Sequence, residues 1–220
     1  MRLLLIRHGQ TTSNVLHLLD TAEPGAALTD LGMQQADGLV GALSGESIDV
    51  LMASTLRRAQ QTATPLALAR ALPLGIRDGI REIGAGELEM RGDAAAAHQY
   101  QATALDWAAG ELTSLIAGAG AGRDMLAAFD EVVAEAESSG AATVVLVSHG
   151  AAIVTWAAAR MANIDAAFVA ENPLANAGIV ILEGSSAAQW LALSWSGRSR
   201  ACQAVELKTA LIPGRRRRRR

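Results

Sequence analysis

Short, continuously apolar segments alternate with longer segments in which apolar residues recur at helical spacing. Leu3–Ile6 and Thr143–Val147 are the most apolar of the short segments, which is typical of strands that are buried on both faces of a parallel sheet. The other predicted strands are 48–53, 74–77, 179–182 and 190–195. Helices are predicted after Thr29, after residue 54, from 94 to about 140 with a break at 117–122, and over 151–162. This alternation predicts an α/β fold, and the last two strands form a closing pair with one antiparallel edge strand.

Polar side chains follow three of these strands at the point where each strand ends. Arg7 and His8 follow the first strand, Ser54 and then Arg57 follow the second, and His149 comes just after the strand that starts at residue 143. Because the carboxyl ends of parallel strands lie along one edge of a sheet, these side chains can converge on one ligand. Arginine offers a planar fork of donors for phosphate, and a neutral histidine offers a nucleophilic nitrogen. Either histidine alone could be a strand cap, but the combination predicts a shared phosphate pocket.

Length and composition indicate the size of the domain and the compartment in which the protein is found. A chain of 220 residues can form one large domain, and its 50% hydrophobic content owes much to alanine. No apolar run reaches the ~20 residues that cross a bilayer, so we expect a soluble, untargeted protein without a membrane partner. Cys202 is the single cysteine and has no partner for a disulfide or a zinc site. This favours a cytoplasmic location.

Charge is distributed unevenly along the chain. The net charge is −3, although Arg215–Arg220 form a block of positive charge at the C-terminus. Such a block repels itself and stays solvated, so we predict one domain over 1–205 and a disordered tail over 206–220. Nucleic-acid binding is disfavoured, because the body of the chain is acidic and has no basic face with stacking aromatics.

The spaced motifs resemble those of the histidine phosphatase superfamily, also called the phosphoglycerate mutase-like family. The first motif is Arg7-His8-Gly9-Gln10-Thr11 with Asn14. The remaining motifs follow in the family's order: Leu28-Thr29 to Gly32 with Gln35-Ala36, Ser54-x-x-Arg57-Arg58-Ala59-x-x-Thr62-Ala63, Glu82, and Ser148-His149-Gly150. The resemblance implies a three-layer α/β/α sandwich with a mostly parallel central sheet, and a phosphohistidine intermediate. It implies no metal and no other cofactor.

The predicted chemistry assigns a role to each of these residues. Neutral His8 attacks phosphorus, while Arg7, Arg57 and His149 stabilise the charge on the phosphoryl oxygens. The second ring nitrogen of His8 must be held by an acceptor, for which a backbone carbonyl is expected. The residues predicted to bind the substrate are Arg7, Gln10, Asn14, Arg57 and Gly150.

Glu82 is the predicted general acid and base. It protonates the leaving alkoxide and later deprotonates the attacking water, which requires a partly desolvated carboxyl group. Glu87 and Glu89 are close in sequence, so the choice of Glu82 depends mainly on its position in the family pattern.

Three functions fit these residues. The first is a phosphatase that hydrolyses small phosphomonoesters, the second is a phosphoglycerate mutase, and the third is a non-catalytic phosphate-binding module. A mutase needs basic residues around its multiply charged substrate, but Arg91 is the only arginine or lysine between Glu82 and Gly122. Hydrolysis of a small phosphorylated substrate is therefore favoured. The oligomeric state is left open, with a homodimer as one option.

Overall fold

The computed structural model describes residues 1–200, and a sheet of seven strands forms its centre. The strands are β1 (Arg2–Arg7), β2 (Val50–Ser54), β3 (Leu74–Arg77), β4 (Thr143–Ser148), β5 (Ile179–Ser185), β6 (Gln189–Trp195) and β7 (Arg198–Ser199). The helices are α1 (Thr12–Val15), α2 (Asp30–Ala42), α3 (Arg57–Arg70), α4 (Ala94–Ala108), α5 (Gly122–Ser138), α6 (Gly150–Arg160) and α7 (Ala166–Glu171). All six predicted strands are present, within a few residues of their predicted bounds.

The sheet has a parallel half and an antiparallel half. Its strand order is β3-β2-β4-β1-β5-β6-β7, in which β3, β2, β4 and β1 are parallel to one another. The prediction of a mostly parallel core with an antiparallel edge is confirmed. The antiparallel edge has three strands rather than one, since β5 and β6 form a hairpin and β7 adds a short return strand. Arg7 pairs with Ser148, and Ala53 pairs with Val147, so β1, β4 and β2 end at nearly the same level.

Helices cover both faces of the sheet, which confirms the three-layer α/β/α arrangement. Successive strand residues point to opposite faces, so Leu4 and Ile6 pack against α2 and α3 while Leu3 and Leu5 pack against α5 and α6. A third apolar cluster joins α4 to the segment 83–88 and includes the buried Trp107. This cluster holds α4 over the edge of the sheet where β1, β2 and β4 end.

The helical region predicted from 94 to about 140 consists of α4 and α5, separated by residues 109–121. The predicted break at 117–122 is confirmed, because α5 begins at Gly122. A Cβ atom at Gly122 would lie 2.5 Å from the Trp107 ring, so only glycine allows this close packing. Pro65 lies inside α3, and that helix is continuous from Arg57 to Arg70. The short helices α1 and α7 had no predicted counterpart, because few residues give too little periodicity to detect.

No helix within residues 1–200 is both long enough and apolar enough to cross a membrane. Cys202 and Arg215–Arg220 lie outside the described residues. The predicted domain boundary after residue 205 lies there as well, and it stays a prediction.

Candidate functional site

A cavity of about 680 Å³ lies where β1 and β4 end, beneath α4 and α7. Five of the predicted site residues line it: Arg7, His8, Asn14, Glu82 and Gly150. His149 contacts the same group, since its ring centroid is 5.1 Å from that of His8. The structure therefore brings together the ends of separate strands, as the sequence predicted.

His8 is buried with one ring nitrogen held by the backbone. Its Nδ1 lies 2.7 Å from the carbonyl oxygen of Gly9, which can only accept a hydrogen bond. Nδ1 therefore carries the proton, and Nε2 is unprotonated and carries the lone pair. Arg58 Nε donates to this Nε2 at 3.1 Å, which agrees with that tautomer. The predicted backbone acceptor is confirmed as Gly9.

His149 is held by a serine that ends the neighbouring strand. Ser54 Oγ and His149 Nε2 are 2.6 Å apart, and both residues are completely buried. The Ser54 oxygen also accepts from the Leu56 N–H, and a hydroxyl proton directed at Nε2 of His149 would give that proton a partner as well. Nδ1 of His149 then carries the ring proton, and this buried donor has no partner within residues 1–200. Sequence reasoning identified Ser54 as a strand end and as the start of a motif, but not as a partner of His149.

Two arginine side chains present further buried donors. Arg7 uses Nη1 to donate to the Leu174 carbonyl at 2.6 Å, while its Nε has no partner within the described residues. Nη1 of Arg58 is also buried without a partner there. Buried donors are almost always paired in proteins. Three unpaired donors, from Arg7, Arg58 and His149, around one nucleophilic nitrogen therefore indicate a binding site for an anion such as phosphate.

The structure corrects the role predicted for Arg57. Arg57 is exposed and lies outside the cavity lining, whereas Arg58 is 3% exposed and contacts His8. Neighbouring helix residues point about 100° apart, so only one of the two can face the sheet edge. Arg58 lies four residues before the buried Thr62, on the apolar face of α3. The spacing of four residues between Arg58 and Thr62 is the feature of the sequence that distinguishes Arg58 from Arg57.

Gln10 is also placed differently from the prediction. Its side-chain oxygen accepts from Thr29 Oγ1 at 2.9 Å, and the residue is not part of the cavity lining. The cause is the close packing of this turn on α2, because a Cβ atom at Gly32 would lie 2.1 Å from the Gln10 carbonyl oxygen. Gln10 therefore holds the turn against α2.

Asn14 reaches the cavity from α1. Its Oδ1 accepts from the Thr11 N–H at 3.1 Å and from Asn176 Nδ2 at 3.0 Å. Because the oxygen is used in this way, the amide NH₂ is the group free to donate to a ligand. Asn176 also donates to the His8 carbonyl oxygen at 3.1 Å. Sequence reasoning missed Asn176, which lies on a loop without a strand or glycine motif.

Glu82 binds the start of α6 through its carboxylate. Oε1 accepts from the backbone N–H groups of Ile83 at 3.0 Å and Ala152 at 2.9 Å, and Oε2 accepts from Ala151 at 3.3 Å. Helix N-termini attract negative charge, so this position stabilises the carboxylate. Glu87 is exposed and outside the lining, and Glu89 binds Thr21. Of these three acids, Glu82 alone lines the cavity.

Burial and neighbouring charges keep both site histidines neutral. Desolvation, followed by the positive charges of Arg58 and Arg7, holds the pKa of His8 well below 6.5, while the hydrogen bond to Gly9 opposes this shift. Burial and the same arginines also hold the pKa of His149 well below 6.5. A lowered pKa means that the ring stays neutral as the pH falls through 6.5. Nε2 of His8 is thus available as a nucleophile at neutral and mildly acidic pH.

We expect His8 to remain neutral, with its proton on Nδ1, as the pH falls through 6.5. ¹⁵N chemical shifts of protein labelled at histidine distinguish the two tautomers and the charged ring. The His8→Asn variant assigns the signal. A His8 ring that becomes charged near pH 6.5, or one protonated on Nε2, would contradict this arrangement.

Comparison with known proteins agrees with this geometry. The family model described as the histidine phosphatase superfamily (branch 1) matches residues 3–196. The structure is similar to a mycobacterial glucosyl-3-phosphoglycerate phosphatase in complex with VO3, with a TM-score of 0.74 and 26% identity over 89% of this chain and 98% of that one.

Curated relatives match over parts of their length. The adenosylcobalamin/α-ribazole phosphatase of Escherichia coli K12 is 42% identical over 91 residues, which are 41% of this chain and 44% of the relative. A PE-PGRS family protein of Mycobacterium tuberculosis is 28% identical over 209 residues, which are 87% of this chain and 36% of that protein. The chain thus spans less than half the length of each of these two relatives.

Proposed function

The chain belongs to the histidine phosphatase superfamily, and we propose that it is a phosphatase that hydrolyses small phosphomonoesters through a phosphohistidine on His8. One observation carries the proposal. The unprotonated Nε2 of a buried, neutral His8 lies beside Arg58 and His149, and buried donors of Arg7, Arg58 and His149 have no partner within residues 1–200. A phosphate-binding module needs the donors, but it does not need a nucleophile with a fixed tautomer.

In the first step, the phosphoryl oxygens accept hydrogen bonds from Arg7, Arg58 and the Nδ1–H of His149. His8 Nε2 attacks phosphorus in line with the leaving oxygen, the P–O bond breaks, and its electron pair goes to the leaving oxygen. Glu82 in its protonated form donates a proton to that oxygen. Its Oε2 has a single, longer backbone contact, which supports Oε2 as the atom that carries the proton.

In the second step, the carboxylate of Glu82 accepts a proton from water, and the water oxygen attacks phosphorus. The P–N bond breaks, and its electron pair returns to His8 Nε2. The hydrogen bonds of Glu82 with the N-terminus of α6 support this step, because they stabilise the ionised carboxylate that acts as the base.

Hydrolysis is favoured over phosphoglycerate mutase activity by the charges in the cavity. Apart from histidines, Arg7 and Arg58 are the cationic side chains in the described lining, and both lie at the proposed phosphate position. A mutase must in addition bind the carboxylate of phosphoglycerate and keep water from the phosphohistidine. The similarity to α-ribazole phosphatase and to glucosyl-3-phosphoglycerate phosphatase also supports hydrolysis. Phosphate release measured beside mutase turnover of 3-phosphoglycerate decides between the two activities.

Glu82→Gln is expected to lower steady-state hydrolysis of an alkyl phosphate by about 10²- to 10⁴-fold, because the variant lacks the acid for the leaving alkoxide. Nitrophenolate needs little protonation, so nitrophenyl phosphate should still phosphorylate His8. The variant should then release nitrophenolate in a burst of about one equivalent per chain, followed by slow turnover. Stopped-flow absorbance measures the burst.

Glu87→Gln is the matched control, since Glu87 is exposed and outside the cavity lining. It should turn over both substrates within about twofold of the unmodified protein. Turnover of the alkyl phosphate by Glu82→Gln within about tenfold of normal would rule out Glu82 as the general acid.

A further inference from the structure

Part of the cavity is formed by side chains without charge. The helices α4, α6 and α7 pack against one another and contribute small aliphatic residues to the lining. These residues are Ala104, Leu105, Val154, Val169 and Ala170, and Leu174 on the segment that follows α7 joins them. We call this region the apolar compartment. It adjoins the phosphate position, because Arg7 donates to the Leu174 carbonyl oxygen.

The charged groups of the lining are unsuited to a second anion on the substrate. Arg7 and Arg58 are directed to the phosphoryl position around His8. The carboxylates in the described lining are Glu82 and Asp20, and Asp20 already accepts from Ser13 and from the Ala26 N–H. A carboxylate or second phosphate on the leaving group would therefore meet negative charge and aliphatic carbon, without a further arginine or lysine in the described lining to offset its desolvation.

We propose that the substrates are phosphomonoesters whose alcohol or phenol part is uncharged and apolar, and that the apolar compartment binds this part. The inference rests on the proposed phosphatase function, since it names the substrate class of the same site. Burial of an alkyl chain against aliphatic side chains strengthens binding by up to about fourfold for each CH₂ group. The affinity stops rising with chain length when the alkyl chain fills the apolar compartment.

Binding can be tested apart from chemistry with n-alkylphosphonates from methyl to hexyl. Carbon replaces the bridging oxygen in these compounds, so no alkoxide can leave. Titration calorimetry of the full-length protein should show Kd falling by about two- to fourfold per CH₂ group over the first members of the series. 3-Phosphonopropionate, which carries a carboxylate on a chain of similar length, should bind at least about tenfold more weakly than butylphosphonate.

Two variants on α7 test whether the dependence of Kd on chain length arises in the apolar compartment. Ala170 and Ala167 are both exposed, but only Ala170 lines the cavity. Ala170→Lys should reduce the gain per CH₂ group to less than about twofold, and should strengthen 3-phosphonopropionate binding by about threefold or more. Ala167→Lys places the same charge on the same helix outside the cavity, and should leave both quantities unchanged.

Binding and labelling results together distinguish a failure of the apolar substrate class from a failure of the proposed catalysis. A Kd that changes by less than about twofold from methyl to hexyl, or 3-phosphonopropionate binding as tight as that of butylphosphonate, would overturn the apolar substrate class. If His8 were nevertheless labelled by a phosphomonoester, the proposed phosphatase function would still hold. Conversely, a clear chain-length dependence without any labelling of His8 would uphold the binding inference and overturn the proposed catalysis.

Discussion

His8→Ala is expected to lower phosphate release by several orders of magnitude and to abolish covalent labelling of the protein by a phosphomonoester. The variant lacks the Nε2 atom, which is the only nucleophile that the proposed mechanism uses. Arg7, Arg58 and His149 would still bind phosphate, so the loss should fall mainly on kcat. If His8 served only to cap a strand, its removal would instead cost about 1 kcal/mol of stability and leave turnover largely intact.

The measurement is a brief exposure to ³²P-labelled nitrophenyl phosphate followed by denaturation. Label on histidine is stable in base and labile in acid, as expected for a phosphoramidate. His98→Ala is the control, because His98 is exposed on α4 outside the cavity lining and should label normally. Near-normal turnover of the His8→Ala protein, or an acid-stable label on serine or threonine, would exclude a phosphohistidine intermediate.

Arg58→Ala should reduce kcat/KM by about 10²- to 10³-fold, because in the proposed mechanism its buried guanidinium donates to the phosphoryl group as charge develops there. Arg57→Ala, one residue earlier, should stay within about twofold of normal, because that side chain is exposed. The pair tests directly whether the structure has assigned the correct arginine. Steady-state kinetics with nitrophenyl phosphate provide the comparison.

Circular dichroism and thermal unfolding must accompany the Arg58 variant, since removal of a buried side chain can destabilise the fold. Arg58→Lys keeps a positive charge but loses the planar fork, so we expect only partial recovery of activity. Equal losses for Arg57→Ala and Arg58→Ala in folded proteins would contradict the orientation of α3.

The local pattern of residues determined much of the parallel half of the fold. Leu3–Ile6 and Val144–Val147 are apolar at every position, which specifies strands buried on both faces, and both strands are present. Arg7, His8 and His149 follow such strands directly. Their meeting in space follows from one rule, that parallel strands end along a common edge. The backbone acceptor for His8 was predictable as well, because the tight turn at Gly9 brings a carbonyl oxygen to Nδ1.

Tertiary packing decided the features that involve distant segments. Arg57 and Arg58 have the same chemistry, and only the packing of α3 on the sheet directs Arg58 to His8 and leaves Arg57 in solvent. Ser54 holds the His149 ring by a hydrogen bond across a sequence separation of 95 residues. The apolar compartment likewise exists only because α4, α6 and α7 meet. Sequence patterns report local periodicity and the ends of elements, whereas side-chain direction and the shape of a cavity depend on which elements pack together.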